Sequence, residues 1–552
     1  MAVMIFFERH MRKIEKFSFW ALLGLVAFFL VWHLRFAENF PYALDDTRMY
    51  LKTFEDRFLD AEGWAKIKFF FSETNFPHTK LVGRSLATLH YVFTGTINFT
   101  FLIYIGVFAL VWFIFLAKKT FNLKYLAVLP LALLLFAPGK MVYWIGPVTG
   151  YPFLLCLTLL SFWMLSKGKL YWAGAIAFVA SFTHSPGIFV FLAAAPLFLV
   201  PPNKSVRRIG VWVLFFAITA FVYWLMVFAD SPVSGVARQE RSLSSIAACL
   251  PSLVVYEGQF LSLPILALDG HTSYVAGKPV LSALLTFLVG AGCLAIIWWK
   301  RNTFSMTMAV SLSFLLFCML PGAISAFVSD DCASFSDKVA PRYIMYAMMA
   351  WAGIYLFVLV NSPKKFTPII ALLSSLALLP SFHSVNKDLY KVSEYQQYQW
   401  IQRITYNFGK KAEDRALQSA IDRGIYDPYL PEFLPAKAEN EVPSGELEDI
   451  WYIFDRNADF CKVEFILKKE VPKPIEIWTE ENAKRFRPAL FHVRLVRGRN
   501  RQRLNEKLKR TSNKVLDSYV YFTSDEAICE GPLYIRAGDK LSKTLVMTDV
   551  ER

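Results

Sequence analysis

The fold class this sequence predicts is mainly α: a polytopic transmembrane bundle of about eleven helices, with a C-terminal extramembrane α+β or β-rich module. Three observations predict it. Hydrophobic residues make up 55% of the 552 and aromatic residues 16%, while charged residues are only 19%, below the share usual in soluble domains. The apolar excess falls in blocks of roughly 15–25 residues, close to the length that crosses a bilayer as a helix. These blocks run from about Phe17 to about Phe382 and then stop, and charged residues become frequent. The expected division is therefore a membrane region over 1–383 and a soluble module over 384–552.

The expected spans are 17–35, 98–117, 124–138, 143–165, 170–183, 187–200, 209–229, 281–299, 303–327, 342–360 and 366–382. The third, fifth and sixth are short for a full crossing, so ten and twelve stay open as counts. The first block, Phe17–Leu34, follows Arg9, His10, Arg12, Lys13 and Lys16. Phe36-Ala37-Glu38-Asn39 lacks the small-x-small pattern of a cleavage site, so the block reads as an uncleaved span. With the N-terminus in the cytoplasm, the inner loops hold Lys118, Lys119 and Lys124, then Lys167 and Lys169, then Lys204, Arg207 and Arg208, then Lys300 and Arg301, then Lys364 and Lys365. The outer loops hold Asp45, Asp46, Asp230, Asp269, Asp330 and Asp331. This is the usual bias of basic residues toward the inside. It accounts for much of the net charge of +15 without nucleic acid as a partner.

Two external loops, 36–97 and 230–280, are long enough to carry structure or function of their own. The first is expected to hold an amphipathic helix over Leu51–Phe71, with Phe54, Phe58, Trp64, Ile67 and Phe71 on one side. It would lie in the bilayer interface or pack on the loop's own core. The C-terminal module opens with a polar helical stretch, about Ser393–Arg423. Strands are expected at Trp451–Phe454, Val463–Leu467, Phe491–Val496, Tyr519–Thr523 and Leu533–Ile535. Of the seven cysteines, Cys249, Cys332, Cys461 and Cys529 fall on the outer side, where an oxidising compartment permits a disulfide. Cys461–Cys529 is the preferred pair, and four free thiols are the alternative; Cys156, Cys293 and Cys318 read as small apolar residues of spans.

Candidate chemistry collects at the outer edge. Asp45 and Asp46 follow the first span by about ten residues. A carboxylate partly shielded from water there can accept a proton from a hydroxyl, and its neighbour can orient it or hold a cation. A solvated acidic turn is the competing reading. Further along the loop, His78, Lys80 and Arg84 are suited to a phosphate, or to the headgroups beside a basic amphipathic helix. Trp144 and Tyr151 open the fourth span as interfacial anchors or as stacking faces for a sugar. His184-Ser185-Pro186-Gly187 forms a tight turn between spans. Arg342 and Tyr343 open a late span, where Arg342 snorkels to the surface or pairs with an anionic ligand. No GxxxxGK[ST], GxSxG or HExxH motif occurs, which argues against an ATP-driven pump. The basic run Arg494–Arg510 would meet anionic glycans, lipid phosphates or only solvent.

An inside N-terminus, one span, and an outer loop opening on Asp45-Asp46 resemble the GT-C superfamily of membrane glycosyltransferases. The basic residues of that loop, the Trp144–Tyr151 region and the Arg342-Tyr343 pair are similar to bacterial members that decorate O-antigen, the polysaccharide of lipopolysaccharide, and other surface polysaccharides. The resemblance covers the layout of the membrane region and does not extend to 384–552. It implies an inverting transfer of a sugar from a polyprenyl-phosphate donor to a lipid-linked or surface-glycan acceptor at the cell envelope. Asp45 or Asp46 would take the acceptor's proton. Lys80, Arg84 and Arg342, supported by His78, would stabilise the departing phosphate, and Trp144, Tyr151, Tyr343 and His184 would contact the sugar. The implied location is a bacterial inner membrane, with the C-terminal module in the periplasm. No cofactor is required by the pattern. A divalent ion, Mg or Mn, held by Asp46 with Asp330 or Asp331 stays open.

Two other classes remain. A transporter or flippase of a lipid-linked glycan would show paired repeats and broken helices, and no repeat is visible. A polysaccharide polymerase or ligase would use Arg and His in a large late loop, where Arg238, Arg241 and His271 lie.

Overall fold

A computed structural model of the chain describes residues 15–28, 47–71, 80–136, 150–228, 243–262, 278–328, 344–378, 419–426 and a set of strands between 445 and 542. The chain forms two compact units. One comprises Met1–Leu389 with Arg423–Asp427, the other Tyr390–Asp422 with Pro428–Arg552.

The first unit is built from helices: α1 (residues 15–28), α2 (Trp64–Phe71), α3 (Leu81–Thr94), α4 (Phe99–Phe121), α5 (Tyr125–Leu135), α6 (Gly150–Ser166), α7 (Leu170–Thr183), α8 (Val206–Tyr223), α9 (Leu243–Ser262), α10 (Pro279–Lys300), α11 (Met306–Val328) and α12 (Ile344–Asn361), with a further helical stretch over 367–378. Among the described residues, Phe99–Phe121, Val206–Met226 and Pro279–Thr303 are long and apolar enough to cross a membrane. Shorter apolar helices accompany them at Tyr125–Leu135, Gly150–Ser166, Leu170–Thr183, Pro186–Leu199, Met306–Gly322 and Met345–Asn361. Only 6% of the apolar window of Pro279–Thr303 is buried in the protein. A helix that turns Phe287, Leu288 and Leu294 outward along its length suits lipid better than water.

Local chemistry sets the helix ends. The Asn98 side chain accepts the Phe101 N–H at 2.9 Å and caps α4. At its other end Asn122 turns left-handed with φ 50°, after Lys118 and Lys119 in the last turn. Between α6 and α7, Gly168 takes φ +73°, which a side chain rarely tolerates. Arg208 fastens this turn by donating to the Gly168 carbonyl and to Asn203 Oδ1, while Asn203 donates to the Leu165 carbonyl. In the core beneath, Phe113 stacks on Phe314 and the Tyr355 hydroxyl donates to the Ala127 carbonyl at 2.7 Å.

Two expectations are corrected here. The span expected at 187–200 is broken into a 3₁₀ turn at Ser185–Phe189, one α turn at Val190–Ala193 and a second 3₁₀ turn at Ala195–Leu199. Pro186 and Pro196, at the start of the two 3₁₀ turns, supply no N–H and interrupt the ladder. The continuous helix expected over Leu51–Phe71 is divided as well. Wide π-type turns at Thr47–Lys52 and Glu55–Leu59 end before Gly63, at φ +53°, and α2 follows. The expected single apolar side splits with it: Phe54 packs inside with Phe58 and Phe69, whereas Trp64 is 57% and Ile67 48% exposed. The loop 230–280 carries structure of its own, as expected: α9 lies within it. It packs on α10, where Gly258 comes so close to the Ser282 carbonyl that a Cβ has no room, and the Thr286 hydroxyl donates to the Val254 carbonyl.

The segment 423–426 also belongs to this unit. The Ile97 N–H donates to the Ile425 carbonyl at 2.7 Å, Tyr426 packs edge-on to Phe99, and Arg423 makes a two-pronged pair with Asp60.

In the second unit the described strands are β1 (Gly445–Leu447), β2 (Ile450–Asn457), β3 (Phe460–Leu467), β4 (Ile475–Thr479), β5 (Asp517–Thr523), β6 (Leu533–Ala537) and β7 (Lys540–Ser542). They form a sheet ordered β1-β7-β6-β4 and another ordered β2-β3-β5. The second is antiparallel throughout, with Ile450 opposite Leu467 and Cys461 opposite Thr523. In the first, β1 joins β7 in parallel and the other pairs are antiparallel. The strand expected at Phe491–Val496, most of the polar stretch Ser393–Arg423, and Cys332 and Cys529 of the disulfide expectations lie outside the described residues.

Candidate functional site

Of the residues singled out by sequence, Asp45, Asp46, His78, Trp144, Arg342 and Tyr343 lie outside the described residues, as do Asp330, Asp331, Arg238, Arg241 and His271. Lys80, Arg84, Tyr151 and His184 are described, and three of them meet.

Lys80 stands immediately before α3, with its carbonyl accepting the Arg84 N–H at 2.9 Å. The two residues are four apart, so both project from one face of that first turn. Both are buried, Lys80 to 3% and Arg84 to 0% exposure. Cations are seldom buried unless charge or hydrogen bonds hold them. Arg84 is held toward α2: its Nη1 donates to the Phe69 carbonyl and its guanidinium lies 5.0 Å from the Phe69 ring centroid. It ties α2 to α3.

Lys80 turns instead toward α6. Its Nζ lies 5.9 Å from the Tyr151 ring centroid. Gly150, the residue before, lets these groups approach closely: a Cβ there would be 3.5 Å from Lys80 Nζ and 2.9 Å from His184 Cδ2. His184 follows α7 in extended backbone and is 1% exposed. Its carbonyl accepts the Gly187 N–H, which closes the turn His184-Ser185-Pro186-Gly187. Gly187 presses against the Ala180 carbonyl with no space for a Cβ, so this turn lies hard on α7 and aims the imidazole inward. The His184 ring lies 4.4 Å from Tyr151, tilted by 35°.

Tyr346 of α12 completes the cluster. Its hydroxyl is 3.1 Å from His184 Nδ1, and its ring meets Tyr151 edge-on at 4.8 Å. Sequence reasoning missed it. The available signal was its place four residues after Arg342 in the sequence.

The cluster thus joins Lys80, Tyr151, His184 and Tyr346 from four separate segments, packed closely at Gly150. An ammonium and an imidazole suit phosphoryl oxygens, and the aromatic faces suit the apolar face of a sugar ring. Among the described residues no three His, Cys, Asp or Glu come together as a metal site.

No family model, curated protein or solved structure matches this chain.

Proposed function

We propose that the chain is an inverting membrane glycosyltransferase that takes a sugar from a polyprenyl-phosphate donor and passes it to a lipid-linked or surface-glycan acceptor. The observation that carries this reading is the meeting of buried Lys80, Tyr151 and His184, packed closely at Gly150. In the sequence Lys80 stands in the long loop 36–97, Tyr151 in the opening of an expected span and His184 in a turn between spans. The apolar helices and the outward face of α10 support a membrane setting.

In this reading about eleven spans cross a bacterial inner membrane, the N-terminus is cytoplasmic and the 384–552 module is periplasmic. Asp45 or Asp46 takes the proton of the acceptor hydroxyl as that oxygen attacks the anomeric carbon. The bond from anomeric carbon to phosphate oxygen breaks, and the electron pair leaves with the polyprenyl phosphate. Lys80 meets the charge that grows on that phosphate, so it favours the transition state over the bound donor. Tyr151 supports the sugar, and Arg84 acts at one remove by holding α2 against α3.

The test is transfer by the purified full chain, supplied with a polyprenyl-phosphate sugar and candidate acceptors. Asp45→Asn or Asp46→Asn is expected to lower turnover by roughly a hundredfold or more, and Lys80→Met by about a hundredfold. Full turnover in both Asp variants would remove the catalytic assignment.

A further inference from the structure

One carboxyl in the helical unit is buried with nothing to hold it. Glu257 stands in α9, inside the loop 230–280, and both of its carboxylate oxygens are closed to solvent and lack a hydrogen-bond partner. The helices α10, α11 and α12 pack on α9. On α11, Gly322 follows Pro321 and leaves room for the carboxyl: a Cβ there would lie 2.5 Å from Glu257 Oε2 and 2.9 Å from Phe260 Cδ1. On α12, Trp351 donates its indole N–H to the Leu261 carbonyl at 2.6 Å. The titratable groups on these helices are Lys278, Cys293 and Lys300 at or along α10, Cys318 in α11, Tyr346 and Tyr355 in α12, and Tyr256 beside Glu257 on α9. Among the described residues Glu257 forms no hydrogen bond or ion pair with any of them, and Lys278 is exposed. Burial disfavours the charged form of a carboxyl far more than the neutral one, and it pushes Glu257 up to about 8.

We infer that Glu257 is a proton-binding site that locks α9: with its proton bound the helix lies closed on α10, α11 and α12, and loss of that proton releases it. A proton suits this place because it needs no cavity. The carboxyl already lies against α11 at Gly322, so it is neutralised within the packing as it stands. Ionisation puts a full charge there with neither a counter-charge nor water. That charge is relieved by admitting water, which parts α9 from its neighbours. The carboxyl O–H bond breaks, the proton passes to the entering water, and the carboxylate is solvated. The folded value lies above the ordinary one, so the closed packing is fully favoured below the ordinary glutamate range, near about 4.3. That contribution is lost as pH rises through the folded value of about 8. The lock does not rest on the glycosyl-transfer reading.

The experiment uses the full chain in lipid nanodiscs. At about pH 6.5 an exposed glutamate is ionised, so the wild-type infrared spectrum should show a protonated-carboxyl band that Glu257→Gln lacks. Hydrogen exchange read by mass spectrometry then follows the helix itself. Protection of 251–262, compared with 99–121 in the same sample, should fall at least about tenfold between about pH 6 and 8 in wild type and stay flat in Glu257→Gln. Glu257→Met does not titrate either; it should be equally flat, and it replaces the glutamine variant if that one fails to fold. A missing band or flat protection in wild type overturns the inference, as does the same pH response in the non-titrating variants. Sodium chloride that restores protection at alkaline pH, where choline chloride does not, also overturns it, because the occupant is then a metal ion.

Discussion

The two ends of α6 treat positive charge in opposite ways. Near its first residues, Lys80 is buried beside Tyr151, with His184 packed on the same ring. Near its last turn, Lys119 lies exposed with its Nζ 5.2 Å from the Trp163 ring centroid. Tyr151 and Trp163 are separated by about 18 Å of helix rise. The exposed pattern recurs on another helix, with Arg301 over Trp298 at 3.7 Å, and Lys118 lies over Tyr125 in a partly buried pair. Both ends pair a cation with an aromatic ring, but their energetics differ. An exposed cation–aromatic pair is worth about 0.5–1 kcal/mol and needs nothing else. Burying a cation costs several kcal/mol unless polar groups are arranged to hold it. The two ends of one helix thus place a cation beside an aromatic ring in a buried and in an exposed setting.

The sharpest test of the difference is at Arg84. Arg84→Met keeps the apolar stem but leaves the Phe69 carbonyl without this donor, and is expected to cost about 2–3 kcal/mol, read as a lower melting temperature in detergent. An unshifted melting curve would mean that this buried cation holds nothing together. Next in size is Gly150→Ala. Its Cβ would press on His184 Cδ2 at 2.9 Å, so transfer should fall about tenfold while thermal stability changes little. Equal losses in both would mark Gly150 as a packing residue. At the opposite end, Lys119→Gln and Arg301→Gln should each change stability by less than about 1 kcal/mol and leave transfer untouched. A large loss of transfer there would erase the contrast between the ends.

The smallest effect concerns Asp60 and Arg423, an exposed pair. The Arg423 guanidinium holds the Asp60 carboxyl below its ordinary value. Because the folded value is the lower one, the contribution is present above the ordinary carboxylate range, near 3.9, and fades as pH falls through the folded value. Acidification should therefore speed proteolysis around 423–426 in the wild type, and Asp60→Asn should remove that pH dependence. An equally steep response in the variant would show that the pair does not fasten this segment.

Much of the membrane region was readable without coordinates, because a span announces itself by composition over a short window. Phe99–Phe121, Val206–Met226 and Pro279–Thr303 coincide with expected apolar blocks for that reason. Lys80, Tyr151 and His184 were readable as polar or amphipathic groups at the ends of such blocks. Tyr346 was not, since a tyrosine inside an apolar run looks like any interfacial ring. The stretch 187–200 was misread because its apolar composition hid what Pro196 does to the backbone, whereas the turn His184-Ser185-Pro186-Gly187 was legible. The split of Leu51–Phe71 was missed because the apolar spacing was counted across Gly63, as if that glycine stayed helical.

Composition along the chain determined where apolar helices run and which residues stand at their ends, because hydropathy and capping act over a few neighbours. Only the tertiary structure decided that Lys80 and His184 meet at Gly150, that Tyr346 reaches His184, that Arg84 faces Phe69, and that α9 leans on α10. Those outcomes depend on which surfaces fit closely enough to exclude lipid and water, a property of whole helices packed together.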